Sequence, residues 1–192
     1  MKRLFVVGAA TLSLSACAVT MTAAPPGPLQ TDAGLAVDLQ NSWTRIPAAL
    51  NGATNGTVLT RHGVMLDRVD LLSIDAGKSI IKAPRNVDVP VFRAGMSELE
   101  LVELVTASLL RVGLTDVRAE NVRPHQFLGA AGIRFNLVGK YSSGLNMRGD
   151  AALAVVNGKL NVILFVAPAA HYYDANAAEI EQLIQSARLS SS

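Results

Sequence analysis

The pair Asn157-Gly158 separates two strand-like runs, Met147–Val156 and Lys159–Ala167. Both residue types accept the positive φ that a two-residue type I′ turn demands, so the runs read as the arms of a β-hairpin. The second arm, LNVILFVA from Leu160, is apolar at nearly every position. Successive side chains of a strand point to opposite faces. Both faces of this strand therefore need cover, which puts it at the centre of an antiparallel sheet with something packed on each side.

Other segments supply the neighbours. Ala131–Val138 alternates, with Ile133, Phe135 and Leu137 on one face and Arg134 and Asn136 on the other. Val117–Val122 is a further candidate strand. Earlier in the chain, Ser42–Ile46 and Gly56–Arg61 carry strand signals, and His62-Gly63 turns the chain into Leu66–Ile74, where Val69, Leu71 and Ser73 share a face. Residues 75–95 read as irregular: Asp75-Ala76-Gly77-Lys78 is a turn, and Pro84 and Pro90 interrupt any strand.

Two helices are expected. Ser97 and Glu100 have capping-box spacing, and Leu101, Leu104, Val105, Leu109 and Val112 follow near helical period. Acidic residues crowd the first turns, Arg111 sits in the last, and Gly113 supplies a left-handed stop. A second helix is read from Asp174, as N-cap, to Arg188, with Ile180, Leu183, Ile184 and Ala187 as its apolar stripe.

The order strands, helix, strands, helix predicts a single α+β domain, a mostly antiparallel sheet packed by helices. The W-x-R start at Trp43, the capped MSELELVELVTASLL helix, the NGKLNVI hairpin and the closing AEIEQLIQSARL helix together resemble the PsbP-like α/β/α sandwich over about residues 43–189. That resemblance implies a non-catalytic accessory or assembly role. It offers no motif by which functional residues could be carried over.

The N-terminus carries a different signal. Met1-Lys2-Arg3 precedes the uncharged run Leu4–Ala16, too short for the roughly 20 residues that span a bilayer and suited to a secretory signal over residues 1–16. Leu14-Ser15-Ala16-Cys17 resembles the bacterial lipobox, which implies cleavage before Cys17, the chain's single cysteine, and acylation (palmitate among the chains) of that residue. The alternative is an ordinary signal cut at Ala16-Cys17-Ala18. Ala18 after the cysteine, rather than Asp, implies by the same resemblance the outer membrane, facing the periplasm; inner-membrane anchoring or a soluble periplasmic form are the alternatives. Residues 17–40, rich in Ala and Pro, are expected to be a flexible tether that lifts the body off the lipid at about 3.1 Å per residue. The globular body then covers 41–189, and 190–192 is a frayed tail.

Loss of Lys2 and Arg3 with the signal takes the formal charge from +2 to zero. A neutral chain gives no electrostatic case for nucleic acid. Without a further cysteine there is no internal disulfide and no thiolate metal site.

No catalytic motif survives inspection. Gly77-Lys78-Ser79 lacks the earlier glycine of a phosphate loop, because position 72 is Leu72. Gly95-Met96-Ser97 lacks the second glycine of a nucleophile elbow, because position 99 is Leu99. His62, His125 and His171 have no metal-ligand spacing, so neither a metal nor a cofactor is expected. The candidate ligand or partner residues are His171, Tyr172 and Tyr173, followed by Asp174, together with Arg134 and Arg148. The last two belong to a polar set with Asn136, Asp150, Lys159 and Asn161 that shares one sheet face. A solvated rim and a helix-stapling tyrosine are the plainer readings of these groups. The sequence thus predicts a non-enzymatic lipoprotein that acts as an envelope accessory or binding module with a possible protein partner. A carrier of a small apolar ligand in a sheet–helix pocket is the alternative, and an envelope hydrolase a more distant one.

Overall fold

The computed structural model describes residues 20–82 and 85–190. Cys17, and with it the lipobox, lies outside them. Eight strands form one sheet: β1 (Thr22–Ala24), β4 (Trp43–Ile46), β5 (Gly56–Thr60), β6 (Arg68–Ile74), β7 (Leu114–Phe127), β8 (Ala130–Tyr141), β9 (Asn146–Val156) and β10 (Lys159–Pro168). Their spatial order is β1-β4-β5-β6-β10-β9-β8-β7, and every pairing is antiparallel. The apolar arm β10 is internal, flanked by β6 and β9. Asn157 (φ 52°) and Gly158 (φ 75°) turn the β9–β10 hairpin, both left-handed as the dipeptide requires.

The two faces of β10 bury separate cores. On one face Leu160, Val162, Leu164 and Val166 join Ile133, Phe135 and Leu137 of β8 beneath helix α1 (Glu98–Arg111). On the other, Ile163 and Phe165 meet Trp43, Val69, Leu71, Ile180 and Leu183 beneath helix α2 (Tyr172–Ser186). The result is an antiparallel sheet covered on both faces, a single α+β domain. Ser97 caps α1 with a complete capping box to Glu100, and Gly113 (φ 98°) follows the helix.

Four expectations need correction. First, the stretch read as tether is folded from Thr22 onward. β1 extends the main sheet, and β2 (Gly27–Gln30), β3 (Leu35–Leu39) and β11 (Arg188–Leu189) make a second sheet, in the order β11-β3-β2, on the α2 side. Leu35, Val37 and Leu39 are buried. Pro28 is accommodated because β2 is an edge strand. Second, β7 is a single long edge strand rather than Val117–Val122 alone. Its register shifts fall where Asp116 and Asn121 adopt positive φ, and Pro124 again sits on an edge. Third, α2 starts and ends two residues earlier than expected. His171 (φ 70°) occupies the N-cap position without a side-chain cap, Asp174 lies in the first turn, and the chain leaves the helix at Ala187 to pair with β3. Fourth, Val112 is not part of the buried stripe of α1 but its exposed C-cap.

Candidate functional site

Three groups of side chains could act on another molecule. The first contains most of the residues the sequence singled out. Alternation on β8 and β9 sends Arg134, Asn136, Arg148 and Asp150 to the α2 face. The first turn of α2 lowers Tyr173 onto the sheet, where its ring stacks on Phe165 at 5.8 Å and lies under the Arg148 guanidinium at 3.9 Å. The Tyr173 hydroxyl donates to Asp150 Oδ2 (2.7 Å), and Asn136 Nδ2 donates to Asp150 Oδ1 (2.7 Å). Burial and the adjacent Asp150 push the Tyr173 phenol up to about 12. Arg134 is 6% exposed rather than at a solvated rim, and grips Glu181 of α2 through Nη1 (2.9 Å) and Nη2 (2.6 Å). Arg148 reaches Asp174 at 3.1 Å. Lys159 and Asn161 do not join this cluster. They share its sheet face but lie near the hairpin turn, where Lys159 pairs with Asp75. The polar atoms of the cluster are engaged with one another, apart from the buried Arg134 Nε. Chemically it is a clamp that fixes α2 to the sheet.

The second group surrounds Tyr172. Its ring stands edge-on between His62 (5.5 Å) and His171 (5.1 Å), so the two adjacent tyrosines serve different places. His62 Nδ1 lies 2.6 Å from Asp67 Oδ2. This histidine–carboxylate pair was not legible in the sequence. Asp67, fully buried, also accepts from Thr60 Oγ1 and the backbone N–H groups of Arg61 and His62. Burial alone would raise its pKa, but those hydrogen bonds outweigh it and hold the carboxyl below its ordinary value. The carboxylate thus organises the β5–β6 turn and orients the imidazole. None of the hydroxyl hydrogen bonds formed by the described residues reaches His62. His125 is remote, stacked on Phe127 at 6.3 Å. Among the described residues no group of three or more His, Cys, Asp or Glu could hold a metal ion.

The third group forms a cavity on the opposite face of the sheet from His171 and Tyr173, where sequence reasoning had placed the interest. It encloses about 180 Å³ between Leu72, Leu164 and Val166 of the sheet, Leu109 and Val112 at the end of α1, and Ile80 and Ile81 of the irregular segment. Val64 and Met65 border its opening. Its volume slightly exceeds the ~150 Å³ of an apolar cavity that takes up benzene, so an aromatic ring or the end of an acyl chain fits. One side is polar. Arg68 donates through Nε to Asp70 Oδ2 (2.8 Å) and through Nη2 to Asp70 Oδ1 (2.6 Å), and Nη2 also reaches the Asn51 carbonyl (2.7 Å). Burial would lower the Arg68 pKa, but Asp70 outweighs it and keeps the guanidinium charged. Burial raises the Tyr141 phenol, only partly countered by Arg68, so it stays neutral. The signal for this site lay in Arg68-Val69-Asp70, an i, i+2 charge pair on the same face as Leu72 and Ile74, where an apolar strand face has no other use for it.

No family model matches the sequence, and no curated protein matches it. Solved structures do. The solution structure of cyanobacterial PsbP (CyanoP) from Synechocystis sp. PCC 6803 is similar over 94% of this chain and 98% of that one, with a TM-score of 0.58 and 8% identity. The fold is therefore PsbP-like, as the order of elements implied. LpqN of Mycobacterium tuberculosis, described as involved in cell envelope biogenesis, aligns over 90% of this chain and 85% of that one at 11% identity, with a TM-score of 0.33.

Proposed function

We propose that this chain is a non-catalytic envelope lipoprotein, held by acyl chains on Cys17 at the periplasmic face of the outer membrane, that binds a small apolar or amphiphilic molecule in the cavity beneath α1. The observation that carries the reading is the cavity itself. Its walls are aliphatic, and its polar groups are an internally neutral Arg68–Asp70 pair and a phenol. Such a site orients a molecule with a greasy body and one polar oxygen without demanding a net charge. Among the described residues its lining holds no histidine, serine or cysteine, which favours binding over hydrolysis. The anchor rests on the lipobox Leu14-Ser15-Ala16-Cys17. Several acyl chains on one residue hold a protein on a membrane far more firmly than the marginal grip of one.

The site is tested by native mass spectrometry of the full-length protein from its own envelope, beside Val112→Trp. Val112 is exposed at the cavity mouth, so an indole there closes the opening without disturbing the core. A co-purifying small molecule in the wild type that is absent from Val112→Trp supports the reading. A chain that carries nothing, or a molecule that survives the closure, contradicts it. The anchor is tested separately by Cys17→Ala: the variant should leave the membrane fraction, and if it still sediments there, lipid on Cys17 is not the tether.

A further inference from the structure

The segment read as a long tether is folded from Thr22, and this fixes which way the molecule faces. Hydrogen bonds to β4 hold β1 at Thr22–Ala24. Only four residue steps separate Cys17 from Met21, at most about 14 Å of extended chain. A lipidated Cys17 therefore keeps Met21 close to the headgroups. Around Met21 the surface is largely apolar, with Thr44, Thr60, Arg61 and His62 also in its lining. Met21 is 60% exposed, Met65 58% and Val64 37%, and with Ile46 and Leu66 they line one open groove that contains no carboxylate. Val64 and Met65 also border the mouth of the cavity beneath α1. The apolar groove and the cavity opening thus share a loop, at the end of the molecule nearest the anchor.

We propose that this face, Met21 with the Val64–Met65 loop, lies against the lipid bilayer, so that the cavity opens toward the membrane and exchanges its ligand with it. The proposal rests on the lipidation at Cys17 read above. The partner is the lipid surface rather than a second protein because the short tether leaves little room for anything between this face and the headgroups. The absence of carboxylates suits a surface of phosphates. A ligand drawn from such a surface is a lipid chain end or another membrane-dissolved amphiphile, which matches aliphatic walls with one polar side.

The experiment places a fluorescent reporter on the face in the full, lipidated chain. Met65→Trp and, independently, Met21→Trp are compared with Val155→Trp, an exposed position on β9 about 20 Å away along the strands. Buried Trp43, the chain's one native tryptophan, is a common background. The proteins are reconstituted into vesicles of equal parts phosphatidylethanolamine and phosphatidylglycerol carrying a shallow spin-labelled phospholipid. Quenching of the Met65 and Met21 reporters several-fold above that of the Val155 reporter supports the proposal. Equal quenching at all three positions, or more at Val155, overturns it. Intact mass of the same samples separates the two ideas. Acyl chains found on Cys17 with no preferential quenching sink the orientation alone, whereas an unmodified Cys17 sinks the anchor and the orientation with it.

Discussion

Glu179 joins parts of the chain that are far apart in sequence. Its Oε1 accepts from Trp43 Nε1 (2.8 Å) and the Asn41 backbone, and its Oε2 from Asn41 Nδ2 and Arg61 Nη2 (2.5 Å). The same Arg61 guanidinium sits 4.4 Å over the Trp43 ring. Removing the carboxylate strands several donors in a nearly dry place, so Glu179→Ala should cost about 3 kcal/mol of unfolding free energy in urea. Burial would raise the Glu179 pKa, but the hydrogen bonds from Arg61, Trp43 and Asn41 outweigh it and hold it below its ordinary 4.5. A carboxyl lowered in the folded state stabilises fully above its unfolded value and loses that contribution as pH falls through the folded one. Stability should therefore hold above about pH 4.5 and decline below it, and Glu179→Gln should be weaker at neutral pH with a shallower acid limb. Thermal midpoints across pH, for both proteins, check the sign. Tyr173→Phe leaves Asp150 short of one donor and should cost about 1–2 kcal/mol while leaving ligand binding intact, because the Asp150 clamp and the cavity occupy opposite faces.

At the scale of elements, the parts that could be read from sequence are those whose residues leave few alternatives. Asn157-Gly158 turned as it must, and Ser97 with Glu100 opened α1; Ser97→Ala should cost about 1 kcal/mol in a denaturant titration. The parts that could not be read are those set by a neighbour. β1 and β2 are three and four residues long, too short for alternation to show, and β3 is strand because α2 and β11 give it a buried face. The N-cap of α2 was misplaced at Asp174 because its actual position holds His171 in a left-handed conformation that no local capping signal announces. Close strand approach is equally hidden. A Cβ on Gly149 would come within 2.4 Å of the Phe165 carbonyl oxygen, so Gly149→Ala should destabilise the β9–β10 pair by more than about 1 kcal/mol.

For the whole molecule, the apolar character of Leu160–Ala167 foretold a sheet covered on both faces, and the two cores meet only through that sheet. The clamp residues Arg134, Arg148 and Tyr173 were found in sequence because polar side chains on an alternating strand, or an aromatic pair before a helix, stand out. Their meaning was not legible, since mutual satisfaction is a property of distances. The cavity was harder still. It arises where α1 ends, the chain at Ile80 and Ile81 runs outside the sheet and helices, and the Val64–Met65 loop stands open; only Arg68-Val69-Asp70 marks it locally. No helix among the described residues is long and apolar enough to cross a membrane. The most direct test of the account is a titration of the full-length protein with decanol, followed by methyl NMR. The account predicts saturable shifts centred on Leu109, Leu164 and Val166 that disappear in Val112→Trp; shifts confined to the surroundings of His62 and Tyr172, or none that saturate, would contradict it.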